Sequence, residues 1–223
     1  MDILVFAPHP DDEIIGCGGS IAKQVEKGNK VSIVYLTSGE SGSQKFSKSE
    51  FRKIREREAK AVAKVLGVKK LFFLREPDGY LEYNKRNLIK ITNLIRKNKP
   101  QVIYLPHQND FHADHQQTYR LVSQSIFRAS GPWFQECKEK PHSVKIVLGY
   151  EVWTPIQNAS YVEDITKYLD LKIKALQQYY SQIKDISYID AVKGLNRYRG
   201  VISGVGKYAE CFEVIKCESD NIL

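Results

Sequence analysis

The sequence predicts an α/β protein, a Rossmann-like three-layer α/β/α sandwich with a mostly parallel sheet. Two observations favour this fold class. Short apolar runs of β-forming residues alternate four times with amphipathic helical segments in the first half of the chain. Neither an internal repeat nor a low-complexity linker interrupts the alternation, and strands joined through helices pair in parallel. With 223 residues, 42% of them hydrophobic, we expect one domain over 1–223, in which 1–130 form the Rossmann-like core and 131–223 complete it.

The first half of the chain contains four predicted strands and three predicted helices. Apolar β-forming runs indicate the strands, and apolar residues at helical spacing indicate the helices, of which Gly28 closes the first and Pro100 stops the third. The predicted strands are 2–7, 31–36, 68–74 and 102–105. The predicted helices are 14–27, 48–66 and 85–98. The small, polar stretch 37–43 is a candidate substrate loop or lid, with a plain connection as the alternative.

The second half of the chain is less regular. Apolar β-forming runs predict a strand at 146–150 and a last strand at about 210–216. Between them, apolar residues at helical spacing predict one amphipathic helix over 162–180 and a further helix near 186–198. The stretch 130–142 contains one glycine and two prolines and is predicted to be a loop.

Composition and charge limit the classes of protein to which this chain can belong. No run approaches the ~18 apolar residues of a membrane span, and the six-residue apolar N-terminus lacks the basic start of a signal peptide, so we expect a cytoplasmic protein without membrane contact. The formal charge of +8 would suit an anionic partner. However, Lys and Arg alternate with acidic residues in stretches such as 52–58, as on a solvated helix, so we expect no nucleic-acid partner. The four cysteines are scattered, which indicates neither a zinc ribbon nor a disulfide framework. A homo-oligomer is the expected assembly.

The first chemical motif, Pro8-His9-Pro10-Asp11-Asp12, follows the first predicted strand. Ligands of open α/β sheets bind at the carboxyl ends of strands, which is where this motif lies. The two prolines stiffen the turn, so its side chains are aimed rather than free. His9 and Asp12 belong to residue types that bind metals, while Asp11 must point differently from its neighbour and is free to act as a base. A helix cap would account for only one of the two carboxylates.

The second motif follows the fourth predicted strand and contains three of the five histidines of the chain, His107, His112 and His115. It emerges from a carboxyl end of the same sheet as the first motif. His115 can complete a His-Asp-His site that leaves one position open for water, as in catalytic zinc sites. His112 lies one helical turn away and can face the substrate without binding the metal, while Asp110 or Asp114 can hold an imidazole ring in place. A surface or capping role is the alternative for any one histidine, and it is the interpretation kept for His107.

Together the two motifs resemble those of the LmbE-like (PIG-L) family of zinc-dependent N-deacetylases. That family carries Pro-His-Pro-Asp-Asp after its first strand and His-x-Asp-His after a later strand, which correspond here to 8–12 and 112–115. Weaker matches extend the resemblance over nearly the whole chain. They are Thr37-Ser38-Gly39-Glu40, Arg55 with Arg57 and Glu58, Pro77-Asp78-Gly79, 164–166 with 180–182, and 208–212.

The resemblance implies a role for each site residue. It makes Asp11 the general base and His112 the charged group that faces the transition state. The metal ligands that it implies are His9, Asp12 and His115. The expected catalytic residues are Asp11, His112 and Asp114, and the expected substrate-binding residues are Ser38, Glu40, Arg55 and Asp110. One Zn²⁺ per chain is the expected cofactor, and Fe(II) or Mn(II) would also suit these ligands.

The implied reaction removes the acetyl group from an N-acetylglucosamine unit of a larger soluble molecule, giving acetate and a free amino sugar. Asp11 would take the proton of the attacking water and return it to the leaving amine. Three alternatives stay open: a zinc hydrolase for another N-acyl group, a basic nucleic-acid-binding module, and a metal-binding protein without activity. Substrate trials separate the first and salt-sensitive nucleic-acid binding would favour the second, while the presence of Asp11 argues against the third.

Overall fold

In the computed structural model, which describes residues 1–218, seven strands form one sheet. The strands are β1 (Asp2–Ala7), β2 (Lys30–Thr37), β3 (Lys70–Glu76), β4 (Val102–Pro106), β5 (Ile146–Tyr150), β6 (Tyr161–Asp164) and β7 (Ala209–Cys217). They lie in the order β3-β2-β1-β4-β5-β7-β6. The first five strands pair in parallel, whereas β7 pairs antiparallel with both β5 and β6.

Helices cover both faces of the sheet. Over residues 1–218 they are α1 (Asp12–Glu26), α2 (Lys48–Leu66), α3 (Lys85–Asn98), α4 (Ala113–Ser130), α5 (Leu169–Leu176), α6 (Tyr180–Ile183) and α7 (Tyr188–Ser203). Alternate residues of β1 point to opposite faces: Ile3 and Val5 pack in one apolar cluster with α1, α2 and α5, and Leu4 and Phe6 pack in the other with α3 and α4. The predicted three-layer α/β/α sandwich is confirmed. No helix of this part of the chain is both long and apolar enough to cross a bilayer.

The strand order reverses at β1, which has β2 and β3 on one side and β4 and β5 on the other. In open α/β sheets such a reversal opens a crevice outside the carboxyl ends of the strands, and ligands bind there. The two histidine motifs directly follow β1 and β4. The topology therefore brings motifs that are about a hundred residues apart in sequence to the same crevice.

Capping residues determine where helices of the first half begin and end. α2 begins at a capping box in which Ser47 Oγ accepts the backbone N–H of Glu50 and the Glu50 carboxylate accepts the N–H of Ser47. It ends at Gly67, whose φ of 74° is in the left-handed region. α3 begins where the side chain of Asn84 accepts the N–H of Asn87. The predicted bounds of both helices are confirmed.

The structure differs from the prediction at 162–180 and at 113–130. The single helix predicted over 162–180 is wrong, because its first residues form β6 and a short 3-10 helix at Thr166–Tyr168 precedes α5. Pairing of β6 with β7 satisfies the backbone of this stretch and overrides its local helical pattern. α4 was not predicted. It begins at His112, whose ring accepts the N–H of Asp114, so a residue considered for its chemistry also caps a helix.

The predicted loop at 130–142 is irregular in structure and is tied to α3 by one side chain. Arg96 is buried, with 2% of its surface exposed, and its guanidinium donates to backbone carbonyls on both sides of the end of α4. The accepting carbonyls belong to Arg128, Ala129, Gly131, Cys137 and Glu139. A cation at the end of a helix also suits the helix dipole.

Candidate active site

A cleft of about 540 Å³ opens at the carboxyl edge of the sheet, where the strand order reverses. Its floor combines the two histidine motifs and includes His9, Asp11, Asp12 and His112. One wall comes from the loops after β2 and β3 and from α2, and includes Gly39, Ser41, Gly42, Arg55, Asp78 and Gly79. The other wall comes mainly from the second half of the chain and includes Phe111, Trp153, Gln182 and Tyr188.

The three predicted metal ligands meet at the floor of this cleft. Asp12 Oδ2 lies 3.0 Å from His9 Nδ1 and 3.3 Å from His115 Nε2. Asp12 Oδ1 is buried and has no hydrogen-bond partner within the described chain. A buried carboxylate oxygen is costly to leave unpaired, and a cation would satisfy it. Two imidazoles and one carboxylate are a ligand set of catalytic metal sites, so these residues fit a divalent ion.

Each of the two histidines turns its other ring nitrogen toward a further carboxylate. His9 Nε2 lies 3.1 Å from Asp114 Oδ2 and 3.1 Å from Asp78 Oδ1. His115 Nδ1 lies 3.5 Å from Asp110 Oδ2. A carboxylate behind a metal-binding imidazole fixes the tautomer and the orientation of the ring. The two histidines of the candidate ligand set therefore have carboxylates beside them that can orient their rings.

The electrostatics of the site shift the pKa values of the two neighbouring aspartates in opposite directions. Burial alone would raise the pKa of Asp12, but the imidazoles of His115 and His9 hold that pKa well below its ordinary value. Burial lowers the pKa of His115, yet Asp12 and Asp110 together outweigh burial and raise the pKa of His115 to about 9. For Asp11 burial is the largest cause and raises the pKa to about 7, against the lowering effect of Arg55. The pKa values of the two neighbouring carboxyls are therefore shifted in opposite directions.

Asp11 has an unusual backbone conformation, with φ 127° and ψ −33°. Such a conformation costs an L residue on the order of 1–3 kcal/mol. It separates the two side chains: Asp12 faces the imidazoles, and Asp11 Oδ2 lies 3.3 Å from Nη2 of Arg55. Arg55 also donates to the carbonyl of Pro10, and the N–H of Asp11 donates to Glu13 Oε2 at 3.0 Å.

His112 lies beside both histidines of the ligand set. Its ring centroid is 5.0 Å from that of His9 and 4.8 Å from that of His115. His112 Nδ1 accepts the N–H of Asp114 at 3.2 Å, which assigns the proton of the neutral ring to Nε2. Burial lowers the pKa of His112, and the two neighbouring imidazoles lower it further. The contact at Nδ1 and the lowered pKa together favour a neutral His112 with its proton on Nε2, whereas a charged ring was expected.

Of the four predicted substrate-binding residues, Arg55 lines the cleft. Ser38 is fully buried and donates its hydroxyl to Glu56 of α2 at 3.0 Å. Glu40 is 4% exposed and accepts the N–H of Asp78 at 3.1 Å, so it holds the loop that carries Asp78. Both side chains lie behind the wall of the cleft, because the residues of the loop after β2 that line the opening include Gly39 and Ser41 instead.

Asp110 and Asp114 also lie behind the cleft. Asp110 was expected to bind substrate, but it is fully buried and accepts three backbone N–H groups, two of them from the segment after β5. Asp114 was expected to be catalytic, but it is 1% exposed and accepts two N–H groups from the segment after β3. Their short side chains lie next to the start of α4 and point inward, where they accept hydrogen bonds from backbone N–H groups of neighbouring loops. Each also lies beside one imidazole, Asp114 beside His9 and Asp110 beside His115, which agrees with the expectation that these carboxylates can hold imidazole rings in place.

Outside the predicted loop 37–43, five side chains that the sequence did not single out as site residues line the cleft. Asp78 and Gln182 stand in stretches that were quoted only as weak matches, and Phe111, which is 71% exposed, directly precedes His112. Trp153 and Tyr188 carried no local signal, since they follow β5 and begin α7. Their rings lie 5.3 Å apart, inclined at 50°. The aromatic wall, defined as Phe111, Trp153 and Tyr188, is therefore a product of the tertiary fold.

The fold and the site together define a doubly wound α/β protein with a His-Asp-His cluster that could hold a cation at the reversal of its strand order. The profile of one protein family, PIG-L, described as GlcNAc-PI de-N-acetylase, matches residues 4–126. The chain belongs to the PIG-L family, as the two motifs predicted.

Several relatives are deacetylases. The chain is 31% identical to diacetylchitobiose deacetylase of Thermococcus kodakarensis over 192 residues, which cover 82% of this chain and 70% of that protein. It is 28% identical to a probable N-acetyl-alpha-D-glucosaminyl L-malate deacetylase 2 of Bacillus cereus, covering 81% and 83% of the two chains. The crystallised N,N'-diacetylchitobiose deacetylase of Pyrococcus horikoshii superposes with a TM-score of 0.88 at 29% identity, over 99% of this chain and 88% of that one.

Not every relative is named as a deacetylase. The chain is 26% identical to 4-oxalmesaconate hydratase of Pseudomonas putida over 186 residues, which cover 78% of this chain and 71% of that protein. Hydration and amide hydrolysis both add water to a substrate. The architecture that these relatives share is therefore compatible with more than one reaction of water.

Proposed function

We propose that this chain hydrolyses the N-acetyl group of an N-acetylglucosamine-containing small molecule or glycoconjugate, giving acetate and a free amino sugar. The observation that carries the proposal is the placement of Asp11 beside His9, Asp12 and His115 at the floor of an open cleft. The names of two relatives, diacetylchitobiose deacetylase and N-acetylglucosaminyl malate deacetylase, support this substrate class.

We infer one divalent metal ion per chain, with Zn²⁺ as the proposed metal and Fe(II) or Mn(II) as alternatives for the same ligands. The proposed ligands are His9, Asp12 and His115. The unpaired, buried Asp12 Oδ1 and the lowered pKa of Asp12 support this assignment. When bound, such an ion supplies Lewis acidity, which polarises an amide carbonyl and lowers the pKa of water.

Asp11 is the proposed general base. It lines the cleft next to the ligand set, and one of its oxygens faces Arg55, which leaves the other oxygen to receive a proton from the attacking water. An amide nitrogen is a poor leaving group unless it is protonated, and the carboxyl of Asp11 can return the proton to it. A pKa of about 7 suits both the acceptance of the proton from water and its return to the leaving nitrogen.

His112 is the proposed donor to the oxyanion that forms when water adds to the acetamide. Its Nδ1 is occupied by the N–H of Asp114, so the Nε2–H of a neutral ring is the donor that remains. A donor aimed at the developing charge stabilises the transition state more than the ground state. Asp110 and Asp114 act through His115 and His9, which they orient, and we assign them as positioning residues.

The walls of the cleft suit a sugar. Arg55 and Asp78 present charged groups that can hydrogen-bond to hydroxyls, and the aromatic wall offers flat apolar surfaces against which the C–H faces of a pyranose can pack. Ser38 and Glu40 support the loops of the first wall from behind. We therefore place the N-acetylated ring between the two walls, with its acetamide at the floor.

The test is release of free amine from a panel of N-acetylglucosaminides by metal-loaded protein. The panel contains diacetylchitobiose, an N-acetylglucosaminyl malate, free N-acetylglucosamine, and an N-acetylated amino acid as the representative of another N-acyl group. Asp11→Asn is the matched control, because it removes the proposed base and leaves the shape of the side chain. Amine release from a sugar that Asp11→Asn abolishes supports the proposal.

Other outcomes of the panel assign other functions. Amine release from the N-acetylated amino acid alone indicates a hydrolase for another N-acyl group. No amine from any member, with water addition to an unsaturated dicarboxylate, indicates a hydratase like the Pseudomonas putida relative. Tight, salt-sensitive binding of nucleic acid without amine release would favour a basic binding module.

A further inference from the structure

The side chain of Glu13 lies beneath the strained turn at Asp11 and has no place in the mechanism described so far. We propose that Glu13, braced by Tyr35 and Tyr179, is a positioning residue that holds Asp11 in the conformation from which its carboxylate reaches the reacting atoms. This inference rests on the proposed function, in which Asp11 is the base. It concerns what keeps that base in place.

One carboxylate oxygen of Glu13 holds the backbone of Asp11. Glu13 Oε2 accepts the N–H of Asp11 at 3.0 Å, and it is the one side-chain acceptor of that N–H in the described part of the chain. The carbonyl of Asp11 is engaged separately, by the N–H groups of Ile14 and Ile15 at the start of α1. The peptide on each side of Asp11 is therefore tied down, the N-terminal side by Glu13 and the C-terminal side by the helix.

The other oxygen of Glu13 is held by two phenols. Glu13 Oε1 accepts the hydroxyl of Tyr35 at 2.8 Å and the hydroxyl of Tyr179 at 2.5 Å, and the two phenol oxygens lie 3.1 Å apart. Glu13, Tyr35 and Tyr179 are all fully buried. Tyr35 is stacked on Phe73, with ring centroids 5.1 Å apart. With both its oxygens engaged, Glu13 has one orientation, and that orientation presents Oε2 to Asp11.

The backbone conformation of Asp11 requires a hydrogen-bond partner that opposes its relaxation. Its φ of 127° is outside the regions that L residues favour, so the turn would relax to negative φ if nothing opposed the change. Relaxation would move the side chain of Asp11 relative to Asp12, and a displacement of about 1 Å at a reacting group can cost about 10²-fold in rate. Arg55 contacts the Asp11 carboxylate at 3.3 Å but not its N–H, so it does not replace Glu13.

Glu13 has no direct contact with the chemistry. It does not line the cleft, and it is in neither of the two groups of residues whose ligand atoms converge in the described chain. A purely structural role for a buried carboxylate is the competing explanation. The two explanations differ in what they predict for kcat, for KM and for the exchange of one backbone amide.

The experiment compares Glu13→Ala and Glu13→Gln in the metal-loaded protein. Glu13→Ala removes the acceptor, and we expect kcat to fall about 10²-fold while KM stays within about threefold and metal content is unchanged. Glu13→Gln keeps an acceptor oxygen, and we expect kcat within about tenfold of wild type. Exchange of the Asp11 amide hydrogen, followed by NMR, should be slow in wild type and Glu13→Gln and at least about tenfold faster in Glu13→Ala.

A second pair of variants serves if Glu13→Ala does not fold. Tyr179→Phe removes one brace of Glu13, whereas Tyr150→Phe removes an equally buried hydroxyl that donates to the carbonyl of Phe6 in β1. We expect Tyr179→Phe to lower kcat about tenfold without a change in KM, and Tyr150→Phe to leave kcat within about twofold. Equal kcat values for the two variants would overturn the proposal.

Three further results would overturn it. They are a folded Glu13→Ala protein whose kcat is within about threefold of wild type, a loss of metal in proportion to the loss of activity, and an Asp11 amide that exchanges equally slowly in all variants. If the wild-type protein releases no amine from any substrate, the proposed function fails by itself. The amide exchange then still decides whether Glu13 holds Asp11.

Discussion

At the scale of single residues, two adjacent carboxylates are given different chemistry by one backbone angle. The φ of 127° at Asp11 turns its side chain toward Arg55, while Asp12 faces two imidazoles. Burial then dominates at Asp11 and raises its pKa, whereas the histidines dominate at Asp12 and lower its pKa. One carboxylate is therefore suited to bind a cation and the other to carry a proton.

The first prediction separates these roles by substitution. Asp11→Asn should keep about one metal ion per chain and lose about 10²–10⁴-fold in kcat, the usual effect of removing a general base. Asp12→Asn should instead lose the metal, because it removes the charge of a ligand. Metal analysis and amine release measure the two quantities. Activity of Asp11→Asn within about threefold of wild type would show that the Asp11 carboxylate is not the base, and its side chain makes no cap hydrogen bond to α1 either.

The second prediction concerns pH. A general base acts in its ionised form, and the pKa of Asp11 is raised to about 7, so kcat/KM should fall about tenfold for each pH unit below 7 and level off above it. Amine release from about pH 5 to about pH 9 measures this profile. A profile that stays level down to about pH 5 would contradict a base with a raised pKa.

The third prediction distinguishes the neighbouring histidines. His112→Ala should keep the metal and lose about 10²–10³-fold in kcat with little change in KM, as expected for the loss of one oxyanion donor. His115→Ala and His9→Ala should lose the metal. Stoichiometric loss of metal from His112→Ala would make His112 a ligand, and a change in KM alone would make it a substrate-binding residue.

At the scale of elements, α4 connects the site to the rest of the molecule at both ends. Its first turn carries His112, Asp114 and His115, and its last turn is held by the guanidinium of Arg96 from α3. The same guanidinium holds the loop 131–142, none of which lines the cleft. We therefore expect the C-terminal end of α4 to contribute to the stability of the fold, and its N-terminal end to contribute side chains to the candidate site.

The fourth prediction tests this division. Arg96→Met leaves several buried carbonyls without their donor, and hydrogen bonds to charged groups contribute about 1.5–3 kcal/mol each, so the free energy of unfolding should fall by at least about 2 kcal/mol. Thermal unfolding should show a Tm lower by about 5 °C or more. The activity of the folded protein should be unchanged.

The matched control is Arg120→Met on the exposed face of α4, which should change the free energy of unfolding by less than about 0.5 kcal/mol. Equal Tm values for the two variants would show that Arg96 does not hold the end of the helix. A loss of activity in folded Arg96→Met would place the loop 131–142 in the reaction.

At the scale of the whole molecule, the two halves of the chain share one sheet, and a buried charge pair of the second half is hydrogen-bonded to the first half. Lys172 Nζ lies 2.6 Å from Glu210 Oε1, and both side chains are fully buried. Glu210, in β7, also accepts the N–H groups of Gly19 and Ser20 in α1. The first helix is therefore bonded to the last strand, which supports the prediction of a single domain over 1–223.

The fifth prediction follows from this connection. Residues 1–130 expressed alone should not fold, because β4 would become an exposed edge and α1 would lose its partners in β7 and α5. Circular dichroism during heating measures whether a cooperative transition is present. A cooperative transition near that of the full chain would instead make 1–130 an independent domain.

Long-range packing explains which site residues the sequence could not assign. Asp110 and Asp114 are the right type of residue for binding or catalysis, but which backbone donors they meet depends on loops that follow β3 and β5. Trp153 and Tyr188 reach the cleft only because β5 and α7 pack where they do. Glu13 was visible in the first motif, yet the two phenols that orient it lie 22 and 166 residues away.

The sequence by itself determined the fold class and the family, and it singled out His9, Asp11, Asp12, His112 and His115, which the structure brings close together. These follow from local patterns: apolar periodicity defines each element, and parallel strands place the residues after their carboxyl ends at one edge. Only the tertiary structure decided that β6 is a strand, which histidine each of Asp110 and Asp114 faces, and which side chains form the aromatic wall. Such features depend on contacts between residues far apart in the chain, which no local pattern encodes.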